Sequence, residues 1–219
     1  MPKRLVLGFL LISLLALGYG GLCNVSKNET TIAGSSAPLP SAVSGLVVTV
    51  ASATQINLTW EDNSNSEDGV KIERASASGG QAGTYAQIAT TVADITSYQD
   101  TGVADGDTYY YRVRAFNDNG NSMYSNEASA TIPLSAPSAL NTTTVGATQI
   151  TVSWTDNSLS EDGYKIERDP GNGYSALATV GANINTYSDT GLAEGMVYSY
   201  RVKAYKSAEE TAYTNVISA

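Results

Sequence analysis

Residues 52–74 read SATQINLTWEDNSNSEDGVKIER and residues 146–168 read GATQITVSWTDNSLSEDGYKIER, an offset of 94 at which 16 of 23 positions are identical. One unit has been duplicated. In both stretches apolar residues fall at every second position: Ile56, Leu58 and Trp60 alternate with Asn57 and Thr59, and Ile150, Val152 and Trp154 repeat the pattern. A period of two is that of a strand with one buried face. The polar runs that follow, DNSNSEDG and DNSLSEDG, are rich in residues whose short side chains bond to nearby backbone, and they read as turns.

The repeat continues downstream at an offset of 89, where SYQDTGVADGDTYYYRVRAF (97–116) pairs with TYSDTGLAEGMVYSYRVKAY (186–205). The first copy therefore carries five extra residues around SASGGQAG, a composition that belongs in a surface loop. Val70 and Ile72 alternate with Lys71 and Glu73. Tyr109, Tyr111, Val113 and Ala115 point inward against Tyr110, Arg112, Arg114 and Phe116, and Tyr198, Tyr200, Val202 and Ala204 do so against Ser199, Arg201, Lys203 and Tyr205. Seven strands are expected in the first copy, near 45–50, 55–62, 69–75, 85–91, 96–100, 108–117 and 123–131. Two sheets packed face to face would bury the inward set. Helical periodicity is absent after the N-terminal segment. The copies run from about Pro38 to Ile132 and from about Pro133 to Ala219, and the two prolines of the junction IPLSAP stiffen the link, limiting without abolishing swinging in a somewhat extended pair.

These residues resemble fibronectin type III domains over about 180 positions. Each copy has the strand-borne tryptophan, in QINLTWEDN and QITVSWTDN. Each also has a segment, GVADGDTYYYRVRAFN and GLAEGMVYSYRVKAYK, similar to that family's Leu-x-Pro-Gly-x-x-Tyr corner leading into Val-x-Ala. Tyr109 and Tyr198 stand at the corner, and Asp105 and Glu194 replace the proline. NGNSMYSNEASA resembles the family's last turn and strand, whereas the counterpart AEETAYTNVISA lacks the glycine. The resemblance implies an all-β chain of two tandem seven-stranded immunoglobulin-like (fibronectin type III) β-sandwiches after an N-terminal signal segment. The divisions expected are 1–22 signal segment, 23–37 flexible tether, 38–132 first domain and 133–219 second domain. DNSxSEDGxKIER is particularly like copies in bacterial secreted proteins.

Residues 1–22 join a basic start, Lys3 and Arg4, to an apolar run ending in small residues, the pattern of an export signal. An uncleaved anchor is the alternative, since Leu5 to Leu22 reaches about 18 residues. Cys23 is the single cysteine, which excludes an intrachain disulfide. Its place after the signal resembles the lipid-bearing cysteine of bacterial lipoproteins, although Leu22 stands where that pattern has a small residue. Lipid attachment at Cys23 and plain cleavage around Gly20 or Gly21 are both open. Loss of Lys3 and Arg4 would take the formal charge from −9 to −11. So acidic a chain repels nucleic acid. Membrane contact is expected only through the signal segment or a lipid on Cys23, and the chain is expected to be exported, either secreted or anchored to the bacterial envelope.

Histidine is absent, which removes Ser/His and Cys/His nucleophilic pairs. The adjacent carboxylates Glu67–Asp68 and Glu161–Asp162 sit in turns and define no cleft of the kind glycoside hydrolysis needs. No enzyme activity, catalytic residue or cofactor is expected. Asp62, Ser64, Ser66 and Asp68, with Asp156, Ser158, Ser160 and Asp162, offer oxygens at alternate positions. They lack the glycine and distant glutamate of a calcium loop, so no metal site is assigned. The candidate partner face is the outward set Tyr110, Arg112, Arg114 and Phe116, with Lys203 and Tyr205 in the second copy, because aromatic and arginine side chains anchor partners. Stabilisation of the sheet's own outer surface is the competing role. The function expected is a non-catalytic extracellular or cell-surface binding or spacer protein of two modules, with a protein or glycan partner. The alternatives are a structural subunit of an envelope assembly or a polysaccharide-binding accessory.

Overall fold

The computed structural model describes residues 38–219; the signal segment, Cys23 and the tether lie outside the described residues. Nine strands follow in the first module: β1 (Ser44–Ser52), β2 (Gln55–Glu61), β3 (Gly69–Ser78), β4 (Gln81–Ala82), β5 (Ala86–Thr90), β6 (Ser97–Asp100), β7 (Thr108–Asn117), β8 (Gly120–Asn121) and β9 (Ala128–Thr131). The second has eight: β10 (Ser138–Val145), β11 (Gln149–Thr155), β12 (Gly163–Asp169), β13 (Ser175–Gly181), β14 (Thr186–Thr190), β15 (Ser199–Lys206), β16 (Glu209–Glu210) and β17 (Ile217–Ser218). No helix occurs among the described residues.

In the first module β1-β2-β6 form one sheet, and β5-β3-β7-β9 form the other, extended by the short β4 and β8. The second module repeats this as β10-β11-β14 and β13-β12-β15-β17, with β16 beside β15. All pairings are antiparallel. Alternation decides which side chains meet between the sheets. Ile56, Leu58 and Trp60 from one sheet face Val70, Ile72, Tyr111 and Val113 from the other. Ile150, Val152 and Trp154 face Tyr164, Ile166, Tyr200 and Val202. With no disulfide, this burial is the main source of stability, at about 1.5–3 kcal/mol per large apolar side chain.

Polar pairs are sewn into each core. The Tyr111 hydroxyl donates to Asp100 Oδ2 at 2.9 Å, and Arg74 Nη1 binds the same carboxylate at 2.8 Å. Tyr200, Asp189 and Arg168 repeat the triad at 2.8 and 2.9 Å. Burial, together with the carboxylate that holds its proton in place, drives the Tyr111 and Tyr200 hydroxyls well above their ordinary range. The corner tyrosines behave as the resemblance implies: Tyr109 accepts the Ala104 N–H at 3.0 Å and Tyr198 the Ala193 N–H at 3.2 Å.

Two details differ from the sequence expectation. The last strand begins at Ala128, later than the expected 123. Before it, the Ser122 and Ser125 hydroxyls accept the Ala115 and Val113 N–H groups, standing in for backbone acceptors. Thr211 and Thr214 do the same for Ala204 and Val202. The SASGGQAG insertion is an ordered hairpin, in which β3 runs on to Ser78 and returns as β4. Gly79 and Gly80 both have positive φ (61° and 81°), which the twist of a two-residue hairpin turn demands and which side chains resist.

Candidate functional site

The outward residues lie as expected on the four-stranded faces, but they are engaged with one another. Arg112 lies between the rings of Tyr85 and Tyr124, at 4.0 and 3.9 Å, and Arg114 stacks on Tyr124 at 4.5 Å. Beneath them is Glu73, which strand alternation placed in solvent and which is instead buried. It accepts from Arg112 Nη2 at 2.7 Å, Arg114 Nη2 at 3.0 Å and the Tyr124 hydroxyl at 2.8 Å. Burial opposes ionisation of Glu73, but the Tyr124 hydroxyl and the two guanidiniums outweigh it and hold the carboxyl below its usual range. The second module repeats the ladder: Arg201 lies between Tyr174 and Tyr213, at 4.1 and 3.9 Å, and Lys203 lies 4.7 Å from Tyr213. Glu167 takes Arg201 Nε at 2.8 Å and the Tyr213 hydroxyl at 2.6 Å.

The remaining face residues are also partnered. Tyr110 donates to Gly80 O at 3.1 Å, Lys71 sits 4.9 Å over Phe116, and Lys165 sits 5.2 Å over Tyr205. Lys203 is bound to Glu210 at 2.6 Å. Tyr85, Tyr124 and Glu73, and their counterparts Tyr174, Tyr213 and Glu167, escaped the sequence reading although each pair is shared by the copies. The glutamates lie on β3 and β12 and the tyrosines in the segments leading into β5, β9, β13 and β17, so only the fold brings them together.

The DNSxSEDG loops are turns held by their own side chains. Asp62 Oδ1 accepts the Ser64 N–H, and Asp156 Oδ1 accepts the Ser158 N–H, both at 3.0 Å. Asn63 reaches back to Ala42 O and the Ser44 hydroxyl at 3.0 and 2.9 Å. Glu67 receives the Ser66 and Asp94 N–H groups at 3.1 and 3.4 Å. Asp62, Glu67 and Asp94 bring carboxylate oxygens within 4.8 Å of one another, a different set from the alternate oxygens of the loop. The second copy has Asn183 at the Asp94 position, and the Tyr164 hydroxyl occupies Asp156. Backbone donors already engage Asp62 Oδ1 and both oxygens of Glu67.

Where the modules meet, the residue that replaces the family proline carries the contact. Asp105 is fully buried. Its Oδ2 accepts the Ser135 N–H at 2.7 Å and its Oδ1 the Leu159 N–H at 3.0 Å, both from the second module. The Ser160 hydroxyl donates to the Asp105 carbonyl. Lys206 Nζ reaches Asp107 Oδ1 at 2.7 Å and the Ser160 hydroxyl at 3.0 Å. Burial penalises the Asp105 charge, but the Leu159 and Ser135 N–H groups more than compensate and keep its pKa below the ordinary value. Gly106 makes the approach possible: its φ is +69°, and a Cβ there would lie 2.9 Å from Lys206 Cδ and 3.1 Å from Leu134 Cδ1.

The Fibronectin type III domain pattern matches residues 41–131 and 135–219. The chain belongs to the fibronectin type III family. Its two fibronectin modules hold no catalytic motif among the described residues, and the fold is typically a non-catalytic one. Exoglucanase B of Cellulomonas fimi is 27% identical over 180 residues, covering 75% of this chain and 15% of that protein. The chain thus spans a small part of that relative. A two-domain fibronectin type III segment of chicken tenascin is similar in fold, with a TM-score of 0.63 and 21% identity over 81% of this chain and 97% of that one.

Proposed function

We propose that this protein is a non-catalytic, exported spacer and binding protein of the bacterial surface, whose two fibronectin modules are held in a fixed relative orientation. The observation that carries the reading is the buried Asp105 carboxylate, which takes two N–H groups from the neighbouring module. A flexible tandem would leave such a carboxylate in water. Spanning both sides of the joint, Asp105 and the Asp107–Lys206 pair restrain bending more tightly than the junction prolines could alone. The exoglucanase name does not transfer to this chain, since the matched stretch is 15% of that protein. Export, the tether from residue 23 and a lipid on Cys23 belong to the same proposal and rest on the sequence pattern of residues 1–37.

Residual dipolar couplings test the central claim. One alignment tensor should fit both modules of the wild-type chain, and two should be needed for Asp105→Ala. Independent tensors in the wild type would overturn the reading. Labelling with a palmitate analogue tests the anchor: label on the wild type and none on Cys23→Ala is expected, and equal labelling would refute attachment there.

A further inference from the structure

The far end of the second module presents the same corner that the first module uses to grip its neighbour, with nothing gripped among the described residues. Glu194 and Gly195 stand where Asp105 and Gly106 stand, and Gly195 keeps the positive φ (+76° against +69°). Glu194 is exposed and has no partner among the described residues, whereas Asp105 is buried. A Cβ on Gly195 would meet nothing within 4 Å, where one on Gly106 would strike Lys206, Leu134 and Ser160.

The near end of the first module carries the matching half. Ser41, Asn65 and Ser66 occupy the positions of Ser135, Leu159 and Ser160, and Asn117 that of Lys206. The exposed residues Asn65 and Ser66 offer a backbone N–H and a hydroxyl, and the N–H groups of Ser41 and Asn65 have no acceptor among the described residues. Where the internal joint has the Lys206–Asp107 ion pair, the near end has Asn117 and the far end Met196, and both ends also expose apolar side chains. Leu39 is 56% exposed beside Gly120 at the near end. At the far end Met196, in the Asp107 position, is 52% exposed and Val197 64%, beside a cavity of about 150 Å³ that Val145, Leu192 and Met196 help to line.

We infer that the far end of the second module docks the near end of the first module of another copy, repeating the internal joint between chains. Glu194 would accept the Ser41 and Asn65 N–H groups, its extra methylene extending its reach, and Leu39 would pack on Met196 and Val197. The contact is head-to-tail, so it does not close on itself and adds copies in a line. It rests on the fixed internal joint, because that joint is its template.

The full chain should therefore show a mass in sedimentation velocity that rises with concentration. Leu39→Glu spoils only the near end and Met196→Glu only the far end. Each variant alone should stay monomeric with an unchanged circular dichroism spectrum. An equimolar mixture should form dimers and nothing larger, since one intact end of each kind remains. A monomeric wild type, or self-association surviving in either single variant, would overturn the inference; survival in Leu39→Glu alone would mean a symmetric far-end contact. Residual dipolar couplings of the monomeric variants report the internal joint separately, so loose modules and non-associating chains give different results.

Discussion

Asp105 shows how one substitution in a family corner changes what the corner does. A proline there could offer no acceptor side chain, whereas the carboxylate binds two N–H groups from across the joint. Because its pKa is lowered in the folded chain, its contribution is present above the ordinary Asp range and lost as pH falls through the depressed folded value. Acid titration followed by residual dipolar couplings should show the modules loosening below the normal carboxylate range. Asp105→Asn should be loosened already at neutral pH and lose that acid-dependent step. The two tryptophans are held differently. Trp60 Nε1 donates to Ile95 O at 3.0 Å, while Trp154 Nε1 is buried with no partner among the described residues and its ring meets Tyr164 edge-on at 5.4 Å. Urea unfolding of Trp60→Phe should therefore lose about 1 kcal/mol more than that of Trp154→Phe, the net worth of one hydrogen bond.

At the scale of elements, the strands and their inward faces were legible because a period of two runs through β2 and β7 and again through β11 and β15, so the duplication supplied the signal twice. The ladder was legible only by half. Alternation announced Arg112 and Arg114, but Tyr85, Tyr124 and Glu73 reach them from other segments, and no local pattern encodes that meeting. The insertion was expected as a surface loop and its strand pairing was not legible, since glycines common to loops also permit a tight hairpin turn. The ladder's energetics depend on Glu73. Glu73→Gln should destabilise the first module by about 2 kcal/mol, the scale of hydrogen bonds to a charged group, in denaturant titration. The buried triads weigh more: Asp100→Ala strands Arg74 and the Tyr111 hydroxyl and should cost on the order of 3–5 kcal/mol.

At the scale of the whole molecule, the joint couples two cores that share no apolar cluster. Calorimetry of the wild type should give a single transition in which both modules melt together. Asp105→Ala should split it into two, because each core is then stabilised only by its own contacts. The joint itself was half legible: the prolines of IPLSAP announced a stiff link, and the Asp105 departure from the family corner was visible without showing what it would hold.

The clamp grips main-chain N–H groups, at Ser135 and Leu159, and adds to them the side chains of Ser135 and Ser158. It is therefore indifferent to the side chain of Leu159, provided the turn keeps its shape and its serines. A duplicated gene segment could be joined to its parent this way from the outset and then diverge outside that turn, and a foreign module with the same turn and serines could be exchanged into the array without redesigning the seam.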